Sequence, residues 1–401
     1  MRITQESFEA FLKCPTKSQL VSERADGIES EFGEWERRLQ EDYKEAASAG
    51  LRCSLEANEW YIGTPPAERL NERRYRLIFD YAVAEPDVHA RLHLLELERS
   101  PALVRRWSYI PTRFIPREKL TTSDRLLLAF DAFAFSRVTG KLPAAGKIIH
   151  GHRYSTVRVP LGKLLEKVRR VVEKMASEQA ESATSPVILN RHCAECQFQA
   201  RCRQIAREKD DLSLLATISN KERKKYHEKG IFTVTQLSYA FRARRRLAPG
   251  VTKHFPALKA LAIREKKIHV LGTPTLGRCE TPVYLDVEGD SDRDFYYLIG
   301  MRTGSAAASA QYSFWADDPI AEAKIWADFV EKVTQLEKPR LIHYGSYETQ
   351  FLRRMRARYP HIGNPAFLDE LAQSALNLLS IIYAHVYFPT YSNGLKEIAQ
   401  Y

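Results

Sequence analysis

Apolar and polar positions alternate in different rhythms along this chain, and the rhythms divide it. Phe8, Phe11 and Leu12 fall on one face of a helix predicted over residues 3–14, which Thr4 can cap and Pro15 can end. The segments YRLIFDYAVA (75–84) and ARLHLLEL (90–97) read as strands from their apolar content and partial alternation. Residues 123–138 predict a strongly apolar helix with Gly140 just beyond it, and residues 161–179 a charged amphipathic one. Residues 206–275 are mainly helical in pattern. From Pro282 the rhythm becomes strand, turn and strand, then helices, with residues 283–287 and 341–344 as strand candidates. No internal repeat interrupts this order.

Length and composition narrow the classes. A chain of 401 residues suggests two or three domains at roughly 150 residues each. It is 44% hydrophobic and 28% charged, an ordinary balance for a folded protein. No run of 18 apolar residues occurs, so no membrane-spanning helix is expected. The first residues, MRITQESFEAFLKC, lack the apolar stretch of a secretory signal, and a cytoplasmic protein is expected. The net charge of +11 is concentrated: residues 201–270 hold 18 Lys and Arg against 6 Asp and Glu. Such a block suits phosphate, unless it is a solvated helical linker. Within it, Arg242, Arg244, Arg245 and Arg246 are the strongest candidates for nucleic-acid contact. Upstream, LATISNKERKKYHEKGIFTVTQL resembles a helix-hairpin-helix phosphate grip around Lys229–Gly230, although Thr217–Asn220 stand where paired glycines are usual.

Two sets of residues carry chemistry. Cys193, Cys196 and Cys202, in RHCAECQFQARC, have the spacing C-x2-C-x5-C, which can aim thiolates at one metal ion or cluster. Cys14 is the natural fourth ligand and His192 its rival; the rival would favour zinc. Cys53 and Cys279 are isolated thiols. The second set begins in PVYLDVEGD. Asp286 and Glu288 lie two apart on a strand and so project from one face. Adjacent carboxylates repel unless a cation sits between them, and paired divalent ions are the usual answer in phosphoryl transfer. Glu348, in HYGSYETQFL, follows the next strand, where a third acid is wanted.

An N-terminal cysteine after FLK, followed by CxxCxFxxxC nearly two hundred residues later, resembles the RecB-like nucleases with an iron–sulfur staple. In that family the resemblance implies a [4Fe–4S] cluster on Cys14, Cys193, Cys196 and Cys202, with Zn2+ as the alternative. The acid and acid-x-lysine of a PD-(D/E)xK site do not carry over. Arg113 and Ile115 stand near those places, and Glu96 and Glu98 lack a lysine two residues on. The first domain is therefore expected to be a pseudo-nuclease. The order D-x-E, HYGSYE and VYFPTYSNGLKEIA resembles DEDD exonucleases of the RNase H-like fold, closest to RecB-like nucleases that carry both domains. The resemblance covers nearly the whole chain. It implies a mixed α/β protein: a RecB-like domain over 1–205, a basic helical segment over 206–275, and an RNase H-like domain over 280–401.

What that resemblance implies chemically is phosphodiester hydrolysis in DNA or RNA by Mg2+ or Mn2+ on Asp286, Glu288 and Glu348. The chain ends at LKEIAQY with no helix stop signal after Ser392 and Asn393, so the last domain is expected to be incomplete, its fourth acid beyond Tyr401. Asn377 stands where related exonucleases often have Asp, and Asp369 is the one local substitute. The alternatives are a non-catalytic nucleic-acid-binding protein built from degenerate nuclease domains, and a zinc-stabilised interaction module. No protein partner is indicated.

Overall fold

The computed structural model describes residues 2–72, 75–99, 107–180, 185–242, 254–274, 276–277, 279–290, 294–305 and 308–401. The chain divides into two compact units, residues 1–205 and 206–401. It is a mixed α/β protein, and no helix among the described residues is long and apolar enough to cross a membrane.

In the first unit a sheet runs in the order Trp60–Ile62, Leu77–Ala84, Val88–Arg99, Trp107–Ile115, Ala145–His150, Ser155–Pro160, with Ile3–Thr4 parallel to Val88–Arg99. Helix Thr122–Thr139 is apolar nearly all round because it is buried: Phe130, Ala132 and Ala134 are inaccessible to solvent. A capping box between Thr121 and Asp124 starts it, and Gly140 at φ 67° ends it in the left-handed conformation that costs glycine little. The first helix is Gln5–Lys13, with Thr4 and Ser7 as its capping box. Pro15 closes that helix and also opens the next, Pro15–Ser22, since a proline at N1 gives up no helical hydrogen bond. Helix Glu31–Arg52 lies on the other side, packing Ala47 and Tyr43 near Phe79 and Phe114.

The second unit is built on a five-stranded sheet in the order Ala308–Trp315, Phe295–Ser305, Thr281–Asp290, Pro339–His343, Leu376–Asn377. The first three strands are antiparallel neighbours and the last two run parallel to Thr281–Asp290. Helices Glu322–Thr334, Tyr347–Arg358 and Pro365–Ser374 cover one face. Their Trp326, Phe329, Phe351 and Leu371 form one core with Val283, Leu285, Val287 and Ile299. A second, smaller cluster joins helix Pro256–Glu265 to Tyr387, on a strand that pairs with His269–Val270. The hairpin around Lys229–Gly230 exists as helices Asn220–His227 and Val234–Tyr239, turned by Gly230 at φ 75°.

Candidate active site and cysteine cluster

The strand Thr281–Asp290 explains the placement of its acids. Val283, Leu285 and Val287 are buried under the helices, so Tyr284, Asp286 and Glu288 point to the uncovered face and are exposed. Among the described residues neither the Asp286 nor the Glu288 carboxylate has a hydrogen-bond or ion-pair partner. Two uncompensated carboxylates on neighbouring same-face positions form a donor set that fits a hard divalent cation. Beside them, Gly300 pairs with Asp286 and Leu298 with Glu288 on the adjoining strand.

Glu348 is placed differently. It is the second residue of helix Tyr347–Arg358, and it is buried. Its Oε2 stands 3.4 Å from His343 Nδ1, and neither atom has a hydrogen-bond partner. His343 alternates with Ile342, which pairs with Tyr284 on the open face, so the imidazole belongs to the covered side. The helix starts within one turn of the strand end, and its first turn carries Glu348 to this buried ring. Among the described residues no three His, Cys, Asp or Glu side chains are set to hold one metal ion.

Several contacts in this unit go beyond what the sequence offered for these residues. Gly289 is required because a Cβ there would come within 2.7 Å of the Tyr347 hydroxyl. Burial, then Tyr296 and Glu288, push that phenol up to about 12. Asn377 accepts from the backbone N–H groups of Gly345 and Leu379, tying the strand end to helix Leu378–His385. Asp369 pairs with Arg356. Lys259 is wholly buried and donates to Thr390 Oγ1 (3.0 Å), the Ser392 carbonyl (3.3 Å) and Asn393 Oδ1 (2.7 Å). Apart from the Leu379 N–H, which lies two residues from Asn377, these contacts join residues well apart in sequence, so no local pattern announces them.

In the first unit the four cysteines do converge. Cys14, Cys193, Cys196 and Cys202 line one cavity of about 180 Å³, with His192 on its wall. Cys14 sits where helix Gln5–Lys13 gives way to Pro15–Ser22, and Cys202 on helix Gln199–Glu208. The Asn190 amide donates to Cys193 Sγ (3.2 Å), while Asn190 Nδ2 donates to the Lys13 carbonyl (3.4 Å). The Gln19 side chain accepts from Ser185 N–H (2.8 Å). The two ends of the unit thus meet at the thiols. Burial, then the neighbouring thiols, push Cys202 up to about 11, and burial raises Cys193. Four thiols around one cavity are the right donors for a soft metal, though no three of their side chains are placed to hold one ion together.

The places where a PD-(D/E)xK domain would keep its acid and lysine hold a closed structure. Arg113 Nη1 pairs with Asp131 Oδ2 at 2.7 Å, both buried, and Ile115 lies in the core. Burial raises the Asp131 carboxyl to about 6 even though Arg113 opposes it. Glu96 and Glu98 share Lys147, at 2.7 Å from Glu96, and Glu98 also meets Arg158. Of the basic residues, Arg242 is exposed, while Arg244, Arg245 and Arg246 lie outside the described residues.

The fold and the acid-bearing strand together describe a class, and comparison with known families agrees. The family model of the RNase H superfamily matches residues 283–401. The carboxy-terminal part of the chain therefore holds an RNase H-like domain, which suggests nuclease-type activity, nucleic acid as partner and, as is general for such domains, Mg2+ or Mn2+. No curated protein matches the chain. The match leaves the RecB-like and iron–sulfur features of the first unit without support from this comparison.

Proposed function

We propose that the chain is a metal-dependent nuclease that hydrolyses phosphodiester bonds of DNA or RNA at Asp286 and Glu288. One observation carries the reading: two uncompensated carboxylates on one exposed face of the central strand of an RNase H-like sheet. Asp286 and Glu288 would hold a divalent ion, which would supply a nucleophilic water and offset charge on the phosphate. The protein's part is to present both carboxylates rigidly, which the paired strands on either side do, and to leave Gly300 beside Asp286 so that a phosphate can approach. Glu348 enters this proposal as the third acid, from the first turn of its helix.

In the same reading the first unit is a RecB-like, catalytically silent binding domain. Its cavity of four cysteines would hold a [4Fe–4S] cluster, or Zn2+ with His192 exchanged for one thiol. Support comes from the convergence of the four thiols and from the neutralisation of Glu96 and Glu98 by Lys147 and Arg158. Nucleic acid would meet the basic segment through Arg242, Arg244, Arg245 and Arg246. The pairing of Glu348 with His343 favours the alternative, a non-catalytic nucleic-acid-binding protein.

The test is cleavage of labelled DNA and RNA with Mg2+ or Mn2+ against chelator. Asp286→Asn is expected to lower the rate about a thousandfold or more, roughly 4 kcal/mol of transition-state stabilisation. Glu348→Gln separates the roles of that residue: a comparable loss of rate at unchanged thermal midpoint makes it a ligand, a lowered midpoint at unchanged rate makes it the partner of His343. Loss of cleavage in Glu96→Gln, with Asp286→Asn unaffected, moves the chemistry to the first unit. No metal-dependent cleavage at all leaves the binding alternative.

A further inference from the structure

The open face of the second unit's sheet has a relief that the acids alone do not explain. Cross-strand pairing sets Glu288, Leu298 and Trp315 in one row, Asp286, Gly300 and Ser313 in the next, and Tyr284, Arg302 and Gln311 in a third. The middle row has almost no side chain beyond Asp286. Gly300 has no side chain and leaves its backbone bare, and Ser313 is short. A shallow trough therefore runs from Asp286 to the edge strand Ala308–Trp315.

Its walls are exposed rings. Trp315 is 58% exposed and Tyr284 47% exposed. Exposed apolar side chains mark an interaction site when they are grouped rather than scattered. A bulge adds a third ring. Register slips between Tyr296 and Leu298. Tyr296 and Ile299, three residues apart, both face the core, so Tyr297 and Leu298 both lie off it. Tyr297 comes to 5.4 Å from the Trp315 ring, and burial followed by Glu288 and Asp290 raises its phenol, placing it near the acids. The Trp315 indole N–H donates to Asp317 Oδ1 (2.8 Å), which holds the ring in place. Arg302 puts an exposed cation on the opposite wall.

We infer that this trough is the track for a single strand of DNA or RNA leading to Asp286 and Glu288, with a base stacked on Trp315 and Tyr297. Trp315 lies two strands from Glu288, about 10 Å at the usual strand spacing, or roughly three nucleotides of a stacked strand. A ring can take the face of a base only where that base is free of a duplex, so the occupant is single-stranded. The polar third row and the small middle row suit a sugar–phosphate backbone rather than an apolar protein surface. The inference deepens the nuclease reading and rests on it for the direction of the strand.

The test is fluorescence anisotropy of a labelled oligothymidylate and of an abasic strand of equal length, in Ca2+. Trp315→Ala is expected to weaken oligothymidylate binding roughly 5- to 150-fold, the range of one lost stacked base. Trp315→Phe should recover most of it. The abasic strand should bind both proteins alike, and the salt dependence should keep its slope, because no phosphate contact is removed. Tyr284→Ala, on the other wall, gives a second reading should the first variant fold poorly. Equal affinity of the wild type and both alanine variants, or an equal loss on the abasic strand, overturns the inference. The outcomes stay separable. Asp286-dependent cleavage with unchanged binding in Trp315→Ala keeps the nuclease and removes the trough. Binding lost at Trp315 without any cleavage keeps the trough and removes the nuclease.

Discussion

Lys259 offers the most quantitative check on the second unit. Burial pushes its ammonium down to about 8, with Glu397 opposing. An unfolded lysine titrates at about 10.4. Between those values the unfolded chain binds more protons than the folded one, so stability should rise with pH in that window. The contribution is complete above about 10.4 and lost as pH falls through about 8. Integrating the linkage from about pH 7.5 to 9.5 gives a rise of about 2 kcal/mol, as an upper figure. Other groups titrate in the same range, the thiols especially, so the measurement is a difference. Urea unfolding of the chain and of Lys259→Met at both pH values should show the rise in the first and not in the second. Near neutral pH the substitution removes the cost of a buried ammonium. It also strands Asn393 Oδ1, since Thr390 Oγ1 already donates to the Ser392 carbonyl at 2.6 Å. One unsatisfied acceptor costs about 1–3 kcal/mol. An identical pH dependence in both proteins would refute the burial of this amine. The consequence reaches the candidate site, because the Asn393 carbonyl accepts from the hydroxyl of Tyr344, at the end of the strand beside Thr281–Asp290.

Two further outcomes concern the first unit. Arg113→Ala leaves Asp131 buried and uncompensated, with Oδ1 already lacking a partner, and should destabilise the protein by about 3–5 kcal/mol in urea unfolding. Arg113→Met with Asp131→Leu should come close to neutral, and an equal loss in both would deny the pair its electrostatic meaning. Protein purified without oxygen should be brown and hold iron and sulfide, and Cys196→Ser should lose both and lower the first unit's stability. Colourless protein with one zinc per chain would replace the cluster with zinc.

What the sequence made legible is what local rules control. The alternation in PVYLDVEGD puts three β-branched or leucine side chains inward, and the acids follow by geometry. Capping residues and Gly140 mark helix Thr122–Thr139 within a residue or two of the expected bounds. Pro15 was legible only in part, because a proline that cannot continue one helix is equally at home opening another. The last helix, Leu395–Ile398, starts after Gly394 rather than from a side-chain cap. Asn393 turns to Lys259, and the Ser392 hydroxyl takes the Gly394 N–H instead. Long-range pairing was not legible. Lys259 with Asn393 and Tyr347 under Gly289 each depend on elements that meet only after folding, whereas His343 meets Glu348 through the short turn that joins their strand and helix.

The same local pattern appears twice, and only the folded chain separates the two. Glu96 and Glu98 sit two apart on a strand, as Asp286 and Glu288 do, so each pair shares a face. The first pair meets Lys147 from a strand beyond its neighbour, and Glu98 also meets Arg158 from the strand after that. Burial raises the Glu98 carboxyl, but Lys147 and Arg158 together hold it below its ordinary range. A divalent ion entering there would have to displace two cations already paired at close range. At Asp286 and Glu288 an arriving ion displaces only water, and the adjoining Gly300 clears the approach. Spacing of acids therefore says where two carboxylates can act together. The charges folded against them say whether a metal is still wanted, and that criterion is why the proposal puts hydrolysis in the second unit.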